Sequence, residues 1–208
     1  LGDCRAPFEA IDETAEYNAC KVLAAFIDNR VSESHFTGTT GYGYGDRGRD
    51  TLDAVLAQIM GTEEALIRHN FVSGTHAITT ALFGVLRPGD RMVSLTGAPY
   101  DTLQPVIGIV PGGHGSLREF GIQYEQLDLR ADGAPDYENV AKAVRGARVA
   151  YIQRSRGYTL RESLHIDEIS RLIDAVRAAD PDTVVIVDNC YGEFVEKCEP
   201  TQAGADLI

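Results

Sequence analysis

The run Thr183-Val184-Val185-Ile186-Val187-Asp188-Asn189-Cys190-Tyr191-Gly192-Glu193 governs how the rest of the chain is read. Its first five residues are all β-branched, the make-up of a strand buried on both faces. Such strands belong to parallel sheets with helices on either side. Asp188 then stands where the strand leaves the sheet. A carboxylate in that place is partly desolvated and faces whatever site the strand ends enclose. Taken alone, it serves as a metal ligand, a base or a cap on the next turn.

Toward the N-terminus the same kind of run recurs. Short apolar stretches bounded by turn residues lie at 65–71, 91–95, 122–127, 148–153 and 183–187. Helical patterns separate most of them, at 75–86, 102–109, 137–144 and 167–179. Strand alternating with helix predicts an α/β fold, a mostly parallel sheet flanked by helices. Arg87-Pro88-Gly89-Asp90 and the stretch 131–135 predict turns. Further upstream, Phe8, Ile11, Ala15, Val22, Leu23, Phe26 and Ile27 predict a long amphipathic helix over 8–29. A glycine-dense stretch at 37–48 is predicted to be irregular. Asp50 is then predicted to cap a helix running through Met60, with Gly61 ending it. With no repeat and no linker, the expectation is an α/β domain over 51–208, preceded by a helix and glycine-rich arm over 1–50.

Composition agrees with a folded core. The 208 residues are 44% hydrophobic and 24% charged, which excludes collagen-like, low-complexity and disordered classes. A compact chain of this length buries roughly 70% of the surface it exposes when unfolded. Nineteen Lys and Arg against 31 Asp and Glu give a net charge of −12. Phosphate-backbone binding needs clustered cations, so nucleic acid and anionic membrane surfaces are not expected partners. No run approaches the roughly 18 apolar residues needed to span a bilayer, and no secretory signal opens the sequence. Cys4, Cys20, Cys190 and Cys198 lack disulfide or zinc spacing and read as reduced thiols of a cytoplasmic protein. His35, His69 and His165 show no ligand spacing, so no metal site is expected. The sequence begins at Leu1 and stops inside the apolar run ending at Ile208, so a longer parent chain is expected.

Ligands in open α/β sheets sit at the carboxyl ends of the strands. Besides Asp188, one other place fits: Phe71-Val72-Ser73-Gly74-Thr75-His76-Ala77, where a strand is predicted to give way to a helix. Small residues there let backbone N–H groups approach a phosphate, and a helix N-terminus favours negative charge. An ordinary helix start has the same look, and neither a Walker loop nor GxGxxG is present. Gly112-Gly113-His114-Gly115 reads as a loop.

Taken together, HFTGTTGYGYGDRGRDTL (35–52), VSGTHAITTALFGVLRPGD (72–90), GAPYDTL (97–103), QRSRGY (153–158), VDNCYGEF (187–194) and GADLI (204–208) carry a resemblance across nearly the whole chain. In this order they resemble the fold-type-I pyridoxal 5′-phosphate enzymes, more narrowly the Cys/Met-metabolism lyases. Among those, the similarity is to the methionine gamma-lyase-like group called aluminium-resistance proteins. The resemblance implies the large domain of a PLP-dependent transferase-like fold, incomplete here. It implies a lyase acting on a sulfur amino acid by β- or γ-elimination, as a homodimer or homotetramer. Backbone N–H groups of Gly74 and Thr75, with Ser73 nearby, would hold the cofactor phosphate; His76 either faces the cofactor or only fills the first helical turn. Asp188 would pair with the ring nitrogen, and Tyr100 would stack on the ring or be a partly buried core tyrosine. From the arm, Tyr42, Tyr44, Arg47 or Arg49 would reach a neighbouring subunit's cofactor phosphate, or form a solvated loop. Arg154 and Arg156, with Tyr158, would bind a substrate carboxylate, Arg offering a bidentate fork, or lie in a surface turn.

The Schiff-base lysine of such enzymes follows the GADL strand by a handful of residues. Of the lysines present, Lys21, Lys142 and Lys197, none stands at that place, so the expected lysine lies past Ile208. Two other classes share these residues. One is a different PLP chemistry on the same fold, as in an aminotransferase, desulfurase or aldolase; the other is a non-catalytic protein that keeps the scaffold for binding.

Overall fold

Strands β1 (Arg91–Ser94), β2 (Gln123–Gln126), β3 (Val149–Gln153) and β4 (Val184–Asp188) form one all-parallel sheet in the order β2-β1-β3-β4. The computed structural model describes residues 4–42, 44–110 and 114–208. Parallel neighbours need long crossovers, and the intervening segments supply them. Helix α1 (Arg5–Asp28) leads the chain, followed by a 3₁₀ turn at Glu33–Phe36 and α2 (Arg47–Met60). Helices α3 (Gly74–Val85) and α4 (Gln104–Ile107) lie before and after β1; α5 (Val140–Val144) and α6 (Ile166–Ala179) flank β3.

Side chains alternate across the sheet, and each face has its own helices. Met92, Val149, Tyr151 and Ile186 pack with Leu82 of α3 and with Leu103 and Ile107. Val93, Ala150, Ile152, Val185 and Val187 pack on the other face with α5 and α6, through Val140, Val144, Ile169, Leu172 and Val176. The result is a helix–sheet–helix sandwich. Parity then fixes the site: Asp188 is two residues beyond Ile186 and Gln153 two beyond Tyr151, so both lie on the face of α3.

Several expectations are corrected. The stretch 65–71 is not a strand. The Asp53 carboxylate of α2 accepts the Ile67 N–H at 2.8 Å and pairs with Arg68, which ties this backbone to a helix instead of a ladder. Ser73 therefore follows a loop. Asp46, not Asp50, caps α2: its side chain accepts from Arg49 N, so Arg47 and Gly48 of the glycine-dense stretch are helical. Gly48 is required where it stands, because a Cβ there would lie 2.3 Å from the His35 carbonyl oxygen. The helix expected at 102–109 is the single turn α4, with Pro105 in its first turn and Gly108 closing it in the left-handed region. The helix expected at 137–144 begins only at Val140. In the Gly112-Gly113-His114-Gly115 loop, Gly112 and Gly113 lie outside the described residues, as does Gly43 of the arm.

Beyond β4, Val187 N donates to Leu207 O at 2.9 Å and Leu207 N to Val185 O, a parallel bridge on the open edge of β4. Helix α1 leaves Phe8, Ile11, Leu23 and Ile27 exposed along the stripe that its periodicity marked as apolar. Among the described residues no helix is long and apolar enough to cross a membrane. The four cysteines are free and exposed.

The α6 face of the sheet is the test of this core. Leu172→Ala removes a fully buried side chain from its centre. It should lower unfolding free energy by about 2–5 kcal/mol, measured by urea titration.

Candidate active site

The sheet order has one reversal. From β1 the chain moves outward to β2, then returns past β1 to place β3 on its other side. The loops leaving β1 and β3 diverge at that switch point and open a crevice at the strands' carboxyl ends, where ligands of such sheets bind. A cavity of about 400 Å³ lies there. Its walls are Gly74, Thr75 and Ile78 of α3, Tyr100, Asp101 and Thr102 after β1, and Ser155, Gly157 and Tyr158 after β3; Asp188, Cys190 and Tyr191 supply the end of β4.

Asp188 is 7% exposed. Its Oδ1 accepts the Cys190 N–H at 3.1 Å and its Oδ2 accepts the Tyr151 hydroxyl at 3.2 Å. Burial pushes the carboxyl above the ordinary carboxylate pKa, and these two hydrogen bonds pull against it. Burial, reinforced by the adjacent Asp188 charge, holds the Tyr151 hydroxyl well above the usual tyrosine value. It is a donor at any working pH.

Across the cavity, Ser73 caps α3 by accepting the His76 N–H at 3.1 Å. The Gly74 and Thr75 N–H groups belong to the first helical turn, which has no intrahelical acceptors. A Cβ placed on Gly74 would meet nothing within 4 Å, so the space above this turn is open. The Thr75 hydroxyl shares hydrogen bonds of 2.8 Å with the Tyr100 and Thr102 hydroxyls, which ties the helix start to the loop after β1. Gln153 steadies that loop from the sheet: its Oε1 accepts the Tyr100 N–H at 2.8 Å and its Nε2 donates to Ser155 O. Arg161 clamps the opposite loop by donating to the carbonyl oxygens of Gln153 and Ser155.

The candidate residues therefore divide. Gly74, Thr75, Tyr100 and Asp188 come together around one cavity, with Ser73 beside it as the cap. His76 turns back, its Nδ1 accepting the Val72 N–H at 3.4 Å and its ring edge-on to Phe71. Arg154 is 3% exposed and its donors are engaged within the protein. Nε donates to Leu164 O at 3.1 Å, Nη1 to Asn189 Oδ1 at 2.8 Å and Gly192 O at 3.0 Å, and Nη2 to Glu196. Arg156 is exposed on the loop beside it. Tyr42 and Tyr44 are 84% and 90% exposed on the arm. Sequence reasoning passed over Tyr151, Gln153 and Thr102. Parity puts 151 and 153 on one face of the strand, but only the register of Gln153 opposite Asp188 shows that this face leads to the cavity.

Among the described residues no group of three or more His, Cys, Asp or Glu is placed to hold a metal ion. Comparison with known proteins supplies the lineage. The sequence model of the methionine gamma-lyase family matches residues 1–208. The chain belongs to the methionine gamma-lyase family. It is 49% identical over 200 residues to the Uncharacterized protein YnbB of Bacillus subtilis (strain 168), covering 95% of this chain and 48% of that one. A carbon-sulfur lyase involved in aluminum resistance from Clostridium novyi NT superposes with a TM-score of 0.94 at 49% identity, over 99% of this chain and 50% of that one. The chain spans about half the length of these relatives. The pyridoxal-5′-phosphate dependent protein YhfS from Escherichia coli shares the fold, with a TM-score of 0.64 at 19% identity over 86% of this chain and 45% of that one.

The raised Asp188 pKa has a stability consequence for this family member. Between the unfolded carboxylate value and the higher folded one, the folded chain binds the proton more tightly. Stability present at acid pH is therefore lost as pH rises through that interval. Asp188→Asn should unfold at a higher urea concentration than the parent at neutral pH. The difference should vanish below the unfolded pKa.

Proposed function

We propose that this chain forms the pyridoxal 5′-phosphate-binding part of a lyase that acts on a sulfur amino acid by β- or γ-elimination. The observation that carries the reading is a pair of opposite charge preferences across one cavity. The N-terminus of α3 on one wall favours an anion, and the buried Asp188 carboxylate favours a cation. Pyridoxal 5′-phosphate has a phosphate at one end and a protonatable ring nitrogen at the other, and the open space over Gly74 leaves room for the first. Resemblance to the carbon-sulfur lyase of Clostridium novyi NT supports the reaction class.

In this reading the Gly74 and Thr75 N–H groups bind the phosphate, with Ser73 fixing the helix start that presents them. Asp188 holds the proton at the ring nitrogen, and Tyr100 offers its ring as a stacking wall. The bound cofactor supplies an electron sink for a carbanion at the substrate α-carbon. Lys21, Lys142 and Lys197 are not among the cavity's lining residues, so the reading assigns none of them to the cofactor. Exposure of Tyr42 and Tyr44 supports a homodimer or homotetramer in which the arm meets a neighbouring subunit.

The test is made on the protein that carries this chain. With pyridoxal 5′-phosphate added, sulfur amino acids should release a keto acid, ammonia and a thiol or a thiol-bearing product. Asp188→Ala should reduce turnover by at least about 100-fold, the loss typical of removing one preorganised electrostatic contact, with the far-UV circular dichroism unchanged. Undiminished turnover in that variant would remove Asp188 from the mechanism. Amino-group transfer to an added keto acid would identify an aminotransferase, and cofactor binding without any product would identify a binding protein.

A further inference from the structure

Tyr151 is the largest of the fully buried side chains, at 0% exposure, and it sits in the central part of the sheet between β1 and β4. A buried hydroxyl needs a partner, and this one donates to Asp188 Oδ2 across the strand pair. The two residues are not register partners: Tyr151 lies opposite Ile186, and Asp188 opposite Gln153. The tyrosine therefore reaches along the α3 face to the strand end from below, while Cys190 N holds the other carboxylate oxygen. Both oxygens are fixed from the protein side, which leaves their remaining lone pairs for the cavity that Asp188 lines. Among the described residues, the titratable groups that also bear on the pair are the Cys190 thiol and the Tyr100 and Tyr124 hydroxyls, and these bring no positive charge.

We propose that Tyr151 is a positioning residue, whose hydroxyl keeps the Asp188 carboxylate ionised and aimed into the cavity. A hydrogen bond to the charged form favours that form, and this one opposes the burial that favours the neutral acid. The cofactor reading gives the arrangement its use, because a cation in the cavity requires a carboxylate and not a carboxylic acid. The proposal rests on that reading only for its purpose, since the Tyr151–Asp188 pair belongs to this chain alone.

Tyr151→Phe tests it by removing one oxygen and keeping the ring in the core. Asp188 is titrated through its carboxyl infrared band in the protein that carries this chain, without cofactor, and the band is assigned by its loss in Asp188→Asn. Tyr124→Phe is the control, since that hydroxyl bonds Gln126 Oε1 and not Asp188. The expected result is an upward shift of the Asp188 titration in Tyr151→Phe and none in Tyr124→Phe. In parallel, the acid limb of pyridoxal 5′-phosphate affinity should move up in Tyr151→Phe by the same interval. An unmoved Asp188 titration, or an equal shift in both variants, would overturn the proposal and leave Tyr151 a packing residue. A shifted titration with cofactor affinity indifferent to Asp188→Asn would uphold the Tyr151 role and sink the cofactor reading instead. Should Tyr151→Phe fail to fold, Tyr151 carrying a fluorinated ring, a stronger donor of nearly the same shape, should shift the Asp188 titration downward; an unmoved one would again overturn the proposal.

Discussion

A carboxylate withdrawn from water is costly unless hydrogen bonds or a cation replace the solvent, and Asp188 is placed where that cost is only partly met. Two donors reach it, both from its own sheet and loop. Everything around the cavity follows from keeping it there. Strand β4 must be buried on both faces to carry Asp188 out of water at its end, and that requires helices on both sides of the sheet. The loops of β1 and β3 must part at the same end for anything to reach it, and the reversal in strand order provides the gap.

The chain just after Asp188 is held by charges that the cavity does not use. Arg154 links β3 to the β4 exit through Asn189 and Gly192, and Glu196 joins this network to the first turn of α6 by accepting the Ile166 N–H. Gly192 permits the arrangement, because a Cβ there would lie 2.5 Å from Arg154 Cδ. Asn18 of α1 donates to the carbonyl oxygens of Phe194 and Glu196, so the N-terminal helix is fastened to the same loop. The lever arm from α1 to the candidate site is thus one loop long. A buried arginine in such a network spends its donors on geometry, which is why Arg154 does not present a fork to the cavity.

Much of this was legible residue by residue. Strands β1, β3 and β4 were plain because runs buried on both faces are nearly continuous in apolar residues, and α6 because its period places Ile169, Leu172, Ile173 and Val176 on one face. The stretch 65–71 misled for the same reason: an apolar run has strand character only where a neighbouring strand offers its edge, and Asp53 offered a carboxylate instead. The cap of α2 was displaced by four residues because both Asp46 and Asp50 suit an N-cap. Asp46 decides it by accepting the N–H of Arg49, three residues further on.

The sequence by itself determined the α/β class, the strand carrying Asp188, the helix start at Ser73 and the family, because these depend on local composition and on ordered motifs. Tertiary structure alone decided which residues share the cavity. Within a run such as Val149-Ala150-Tyr151-Ile152-Gln153, every residue is buried, so hydropathy carries no record of which face each side chain takes. That assignment depends on register against β4, and register is a contact between segments more than 30 residues apart. Tyr151 beneath Asp188 and Arg154 turned toward Glu196 are both consequences of that register.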